Sequence, residues 1–442
     1  MKKYVIGAGL WVLSLGWTTA QPTPAAMPLD QAVQRALQNN KAIKLADSRS
    51  LAAEARSQEA KDRSLPQANA SLAYSRYSLT GPFAFGQGSD GKALASIPAG
   101  AFNATIGGAT ISKEVFGGFA EKTAELSASL LAKASHLDAQ RNRSELVYTV
   151  TDAYYNIVKL IRSTSVIDQN IRQFDERERE AQNLQKEGVV TAKEVLKIQL
   201  QRNNLQLSRL QVEKARQTAL YNFGLLIGLP DDQVITVDTT LANPVVTAEP
   251  LSNFLGQALQ SRPEVQANAL RVQSAEAMLR NTKSVMYPHL GVSAGYNYIN
   301  PTARLIPEGS SFISAWNVGA GLSYNIGSLY NMKGKLNSAK TAIDQATIQG
   351  QQQTDQIRSE VVTAYNNYQL ALEQQHVIRT AVGQAQENYR LTESRFRNGL
   401  VGSTDLLEAD SFLLQAQLNV INATVDAQLA YQRLLKATGH NL

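Results

Sequence analysis

Asp405 and Glu408 stand three residues apart in the run Phe396–Asp410, FRNGLVGSTDLLEAD, so a helix would carry both carboxylates on one face. Just before them, Gly399 and Gly402 break any helix, and Ser403 or Thr404 is placed to cap the next one. A looser version of the same run occurs earlier, in Lys186–Gln199, KEGVVTAKEVLKIQ. There Gly188 makes the break, and Thr191 and Glu194 have the spacing of a capping box. The chemistry open to these carboxylates is electrostatic. In a first helical turn they favour the dipole by roughly 0.3–1 kcal/mol each. Arg202, Arg209 and Arg216 recur every seven residues on one helical face, which reads first as a solvated stripe and second as a docking surface.

Catalysis finds no support. His136, His289, His376 and His440 are scattered without metal-ligand spacing, and no nucleophile elbow, phosphate loop or dinucleotide fingerprint occurs. No catalytic, cofactor-binding or metal site is expected, so the chain does not read as an enzyme. With no cysteine, neither a disulfide framework, a Cys-ligated zinc site nor a lipidated N-terminal Cys is expected. Residues 1–20 read as a secretory signal peptide, with Lys2 and Lys3 before the apolar Tyr4–Gly16 and the small residues Thr18, Thr19 and Ala20 at the cleavage site. No later run approaches the roughly 18 apolar residues of a spanning helix. The formal charge of +6 includes Lys2 and Lys3, which leave with the signal, and says little about polyanionic partners.

The elements that position these runs come in duplicate. Pro28 and Pro250 lie 222 positions apart, and at that offset Ala53-Glu54-Ala55 matches Ala275-Glu276-Ala277, Pro66 meets Pro288 and Tyr74 meets Tyr296. Beyond the strands the offset falls to 211, where Gly188 meets Gly399 and Gly228 meets Gly439. The eleven-residue difference falls in the Gly-rich run between about Leu79 and Phe102, read as a turn-rich loop. The reading is therefore repeat 1 over 21–229, a linker over 230–249 and repeat 2 over 250–442. Each repeat runs helix (about Leu29–Ser64; Leu251–Val285), β-hairpin (about 67–112; 289–325), a very long helix (about Gly118–Glu187; Leu329–Asn398), the glycine turn at 188 or 399, and a last helix (Ala192–Leu226; Thr404–Thr438). The long helices carry heptad seams such as Leu146, Val150, Ala153 and Ile157. A helix of that length runs roughly 100 Å, which implies a tube or rod.

The strands alternate. Leu290, Val292, Ala294, Tyr296 and Tyr298 interleave with Gly291, Ser293, Gly295 and Asn297, and Trp316, Val318, Ala320, Leu322 and Tyr324 interleave with small or polar residues. About ten residues of that pattern is the signature of a transmembrane β-strand. Four strands cannot close a barrel, and an open sheet edge is forbidden in lipid. If these strands span, the chain must share one barrel with other copies, and three copies of four strands would give twelve.

Tandem repeat, helix–hairpin–long helix–turn–helix order and the motif GLVGSTDLLEA at Gly399–Ala409 together resemble the TolC family of outer-membrane channel-tunnel proteins, over essentially the whole mature chain. The resemblance implies a mainly α fold with membrane β: a homotrimer with a shared twelve-stranded β-barrel in the outer membrane, a long α-helical coiled-coil barrel in the periplasm and an equatorial linker. It implies a passive exit duct for efflux pumps or type I secretion, with a periplasmic adaptor, an inner-membrane transporter and outer-membrane lipid as partners and no nucleic acid. It also implies that Asp405, Glu408 and, in the first repeat, Glu194 line a periplasmic constriction, where threefold symmetry would make cation-attracting rings. Gly188, Gly399 and Gly402 would form adaptor-facing tips. The family pattern places a Tyr and an Arg at the polar lock of the closed tip, where this chain has Phe396 and Val401, which cannot make that lock. The alternative class is a periplasmic coiled-coil adaptor or scaffold without a channel, which would not need paired strands with an apolar face.

Overall fold

The computed structural model describes residues 26–87, 89, 93–97, 99–230, 235–240, 249–301 and 313–440. The expected signal peptide over 1–20 and much of the linker over 230–249 lie outside the described residues. The first set of elements is α1 (Leu29–Asn39), α2 (Lys41–Asp62), β1 (Gln67–Leu79), β2 (Phe83–Gln87), β3 (Ala93–Ile97), β4 (Gly100–Gly117), α3 (Ala120–Lys186) and α4 (Ala192–Leu226). The second is α5 (Leu251–Ser261), α6 (Pro263–Ser284), β5 (His289–Pro301), β6 (Ile313–Ser323), α7 (Ser328–Asn331), α8 (Lys333–Arg397) and α9 (Ser403–Ala437).

Three details differ from the sequence reading. The opening helix of each set is two helices. Arg262 takes an extended backbone, φ −68° and ψ 126°, because Pro263 disfavours the helical conformation in the residue before it and then starts α6 at its first position. At the matching position Asn40 is also extended, and its side chain accepts from the Ala42 amide to cap α2. The Gly-rich run also holds a hairpin, β2 paired antiparallel with β3, where a loop was expected. Before α8 the chain makes the short helix α7, so the second long helix begins at Lys333 and not at Leu329.

The chain divides into two compact units that each draw on both repeats: Met1–Asn39, Thr149–Pro244 and Gln374–Leu429 in the first, Asn40–Tyr148, Val245–Glu373 and Ala430–Leu442 in the second. The second unit contains a four-stranded antiparallel sheet in the order β1-β4-β5-β6. Its register pairs Tyr296 with Trp316, Ala294 with Val318 and Leu290 with Leu322, so one face collects the apolar side chains. The opposite face carries Ser112 against Ser293, Thr110 against Gly295 and Gly295 against Asn317. Trp316, Val318 and Leu322 are 78%, 72% and 73% exposed, so nothing among the described residues covers the apolar face. Phe254, Ile357, Val361, Ala364, Tyr368 and Leu434 form the helical core of this unit. Beside it, Arg262 is buried between Glu264 and Glu360 at 2.8 and 2.7 Å.

In the first unit, Phe174, Ala181, Val195, Ile198 and Leu205 pack together, joined by Ile171, Leu407 and Leu414, so α3, α4 and α9 share one core. The heptad seam of α3 is buried here as its spacing requires, with Val150 and Ile157 at 0% exposure. Tyr154 holds the chain before α1: its hydroxyl lies 3.0 Å from the Met27 carbonyl and 2.9 Å from the Asp238 carbonyl. Burial, with Asp238 nearby, pushes the Tyr154 hydroxyl up to about 12.

Candidate functional site at the helical turns

Both turns close by one hydrogen-bond pattern. Gly188 N donates to Gln185 O at 3.0 Å and Val189 N to Leu184 O at 2.9 Å; 211 residues on, Gly399 N donates to Phe396 O and Leu400 N to Arg395 O, both at 2.9 Å. This is the arrangement in which a left-handed residue satisfies the last carbonyls of a helix. Gly188 and Gly399 supply it, at φ 72° and 69°. Gly402 is not left-handed and precedes the first residue of α9, so its carbonyl faces the Leu406 amide at 3.5 Å. The expected caps are modified accordingly. Ser403 and Thr404 lie inside α9; the Ser403 hydroxyl is buried without a partner among the described residues, and the Thr404 hydroxyl accepts from Lys197 Nζ at 2.7 Å. Thr191 does sit at the N-cap of α4, but its side chain makes no capping bond.

Asp405 and Glu408 project from the first turns of α9, exposed and without an ion-pair partner among the described residues. Glu194 is half-buried at the start of α4, 3.9 Å from Lys197. Because Lys197 also reaches Thr404, the two turns meet, and a cation missed by the sequence reading stands between Glu194 and the Asp405 turn. Phe396 and Val401 are half-buried beside Gly399. The three arginines of α4 are paired within the chain and do not form a free stripe: Arg202 pairs with Asp175, Arg209 with Asp168 at 2.6 Å, and Arg216 with Glu213 at 2.7 Å.

Further along the same helices lies a polar cluster that the sequence reading did not find. Arg177 of α3 donates to Asp410 of α9 at 3.1 Å and to the Tyr389 hydroxyl of α8, and its guanidinium covers the rings of Phe174 and Tyr389. Asp410 is only 2% exposed. Burial pushes its carboxyl above the usual range despite the opposing Arg177 charge, and burial likewise raises the Tyr389 hydroxyl. No cluster of His, Cys, Asp and Glu able to hold a metal occurs among the described residues.

Residues 254–440 match the family model described as outer membrane efflux protein. The pyoverdine export outer membrane protein OpmQ of Pseudomonas aeruginosa is 25% identical over 432 residues, 94% of this chain and 85% of that protein. The outer membrane efflux protein BepC of Brucella suis is 21% identical over 341 residues, 75% and 71% of the two chains. Among solved structures, the CmeC outer membrane channel of Campylobacter jejuni superimposes with a TM-score of 0.79 at 18% identity, over 93% of this chain and 85% of that one. Over residues 254–440 the chain is thus similar to the outer membrane efflux proteins.

The chain has the fold of the outer-membrane channels, helical with a small sheet, and the outer membrane is its location, with a periplasmic helical part. None of its helices among the described residues is long and apolar enough to cross a bilayer. The adaptor or scaffold alternative has no use for such a sheet and falls away.

Proposed function

We propose that the chain is the passive outer-membrane exit duct of a tripartite efflux pump, working as a homotrimer. The observation that carries this reading is the sheet. In the order β1-β4-β5-β6 it leaves β1 and β6 as edges, and its apolar face is uncovered. Lipid tolerates neither an open edge nor unpaired backbone groups. Other copies of the chain would satisfy both edges, and three copies would close a barrel of twelve strands within the size range of membrane barrels. The exposed Trp316 and Tyr296 suit an interfacial girdle.

The paired repeats, joined by the 230–249 linker, would supply each protomer with two of the turns described above. Threefold symmetry would then gather Asp405 and Glu408, with Glu194, into acidic rings at a periplasmic constriction, attracting cations. Gly188, Gly399 and Gly402 would shape the tips that meet a periplasmic adaptor, and an inner-membrane transporter would supply the energy. The relatives are named for export of pyoverdine and for efflux, which favours efflux over type I protein secretion. With Phe396 and Val401 at the family's polar lock, closure at the extreme tip rests on packing. The test is outer-membrane fractionation followed by gel analysis with and without heating. A heat-modifiable band at three times the chain mass is expected, and recovery in the soluble periplasm would sink the proposal.

A further inference from the structure

We infer that Arg177 is a positioning residue for ion selection, holding the Asp405–Glu408 pair at a fixed height and rotation. The inference rests on the proposed duct. Arg177 touches three helices at once: it lies on α3, bonds Asp410 of α9 and Tyr389 of α8, and stacks on Phe174 of its own helix. Because α8 and α9 are the two arms of one hairpin closed at Gly399, a single guanidinium grips both arms. The grip is mostly out of water, with Arg177 15% and Asp410 2% exposed, so the contact is little screened and has one satisfied geometry.

Asp410 follows Asp405 by five residues and Glu408 by two. At about 100° per residue, Asp405 and Glu408 lie about 140° and 160° around α9 from Asp410. The clamp therefore holds one side of α9 while the acidic pair stands on the other. Any roll or slide of α9 that moves the pair must first draw Asp410 from Arg177. The remaining groups around the clamp are Glu393, which adds negative charge beside Tyr389 and Asp410, and Arg397, which pairs with Glu393 at 3.1 Å. Arg177 is thus the cation that balances the buried carboxylate. The side chains of Phe396 and Val401 cannot make the polar lock that the family resemblance implies; the clamp supplies a polar contact two turns deeper, within a single protomer.

The experiment uses the full-length protein in planar bilayers, reading conductance and reversal potential across a KCl gradient. The thermal midpoint of the heat-modifiable assembly is read beside them. Arg177→Met with Asp410→Leu removes both charges together and so avoids stranding either one. This double variant is expected to keep its midpoint within a few degrees, to conduct at least twofold more and to lose cation preference. Tyr389→Phe removes only the hydroxyl and should shift conductance in the same direction by less, which keeps the test decisive if the double variant does not assemble. Wild-type conductance and reversal potential in an assembled double variant, or in Tyr389→Phe where the double fails, overturn the inference while the duct stands. A wild-type protein that forms no channel overturns both.

Discussion

Arg209 Nε lies 2.6 Å from Asp168 Oδ1, and one heptad along, with α3 and α4 running opposite ways, Arg202 meets Asp175. The seven-residue spacing that suggested a free arginine stripe therefore matches a carboxylate spacing on the facing helix. Both partners are about a third or more exposed, and exposed pairs contribute only about 0.2–1 kcal/mol. Arg209→Ala should lower the assembly midpoint by no more than a degree or two, and by less in 1 M salt. Exchanging the pair, Arg209→Asp with Asp168→Arg, should recover the loss. A fall of ten degrees in the single variant would show that the ladder does more than register α4.

Arg262 is a different case, since it and Glu264 are 8% and 9% exposed. Burial alone would raise Glu264, but the Arg262 hydrogen bonds and charge overcome it and hold the carboxyl below its usual range. A folded carboxyl below its unfolded value contributes stability above the ordinary carboxylate range, and that contribution is lost as pH falls through the lowered folded value. Glu264→Gln should flatten the acid limb of stability against pH below about pH 4.5. Arg262→Ala should cost about 3 kcal/mol at neutral pH, because buried Glu264 loses its Arg262 hydrogen bonds and keeps the more distant, exposed Arg141 at 3.7 Å. Parallel acid limbs for wild type and Glu264→Gln would exclude this role.

How much of this was legible follows from where the signals lie along the chain. The glycine turns, the strand alternation and the α3 seam are local patterns, written within a few residues, and they were read nearly in place. The break at Arg262 had its signal in Pro263, but a proline at a first helical position also fits a helix that goes on in almost the same direction, and Asn40 offered no proline at all. The hairpin β2–β3 hid in a run whose glycines suit turns. Arg177 and Asp410 stand 233 residues apart, and neither lies in a pattern that predicts burial. Such a pair is visible only once α3 and α9 share a core. The same limit left Lys197 unread beside Thr404.

The two glycine types in the second turn separate experimentally. A Cβ at Gly399 meets nothing within 4 Å, so Gly399→Ala pays only for a left-handed backbone, about 1–2 kcal/mol. Gly402 has neither a left-handed backbone nor a near neighbour, so Gly402→Ala should be neutral. Assembly midpoints of the two variants check this, and an equal loss at both positions would contradict it.

The two faces of β6 should respond oppositely to charge. Val318 is 72% exposed on the apolar face, beside Ala294, whereas Asn317 faces Gly295 on the small, polar side. A lysine facing lipid near mid-membrane costs about 2–4 kcal/mol. Val318→Lys should reduce the heat-modifiable assembly in outer-membrane fractions several-fold, while Asn317→Lys should assemble near wild-type levels. Equal yields would mean that the apolar face does not meet lipid.

Charge at the turn is a balance, because Lys197 stands against Thr404 while Asp405 and Glu408 stay unpaired among the described residues. If rings of these carboxylates select ions, removing them and removing the cation must act with opposite signs. Asp405→Asn with Glu408→Gln should move the reversal potential in a KCl gradient toward zero. Lys197→Ala should move it further toward the potassium potential, by a smaller amount, since one cation is lost against two anions per protomer. Because both carboxylates are exposed, each single variant should give part of the full shift. A reversal potential unchanged in the double variant would place ion selection elsewhere in the duct, whatever the Lys197 variant does.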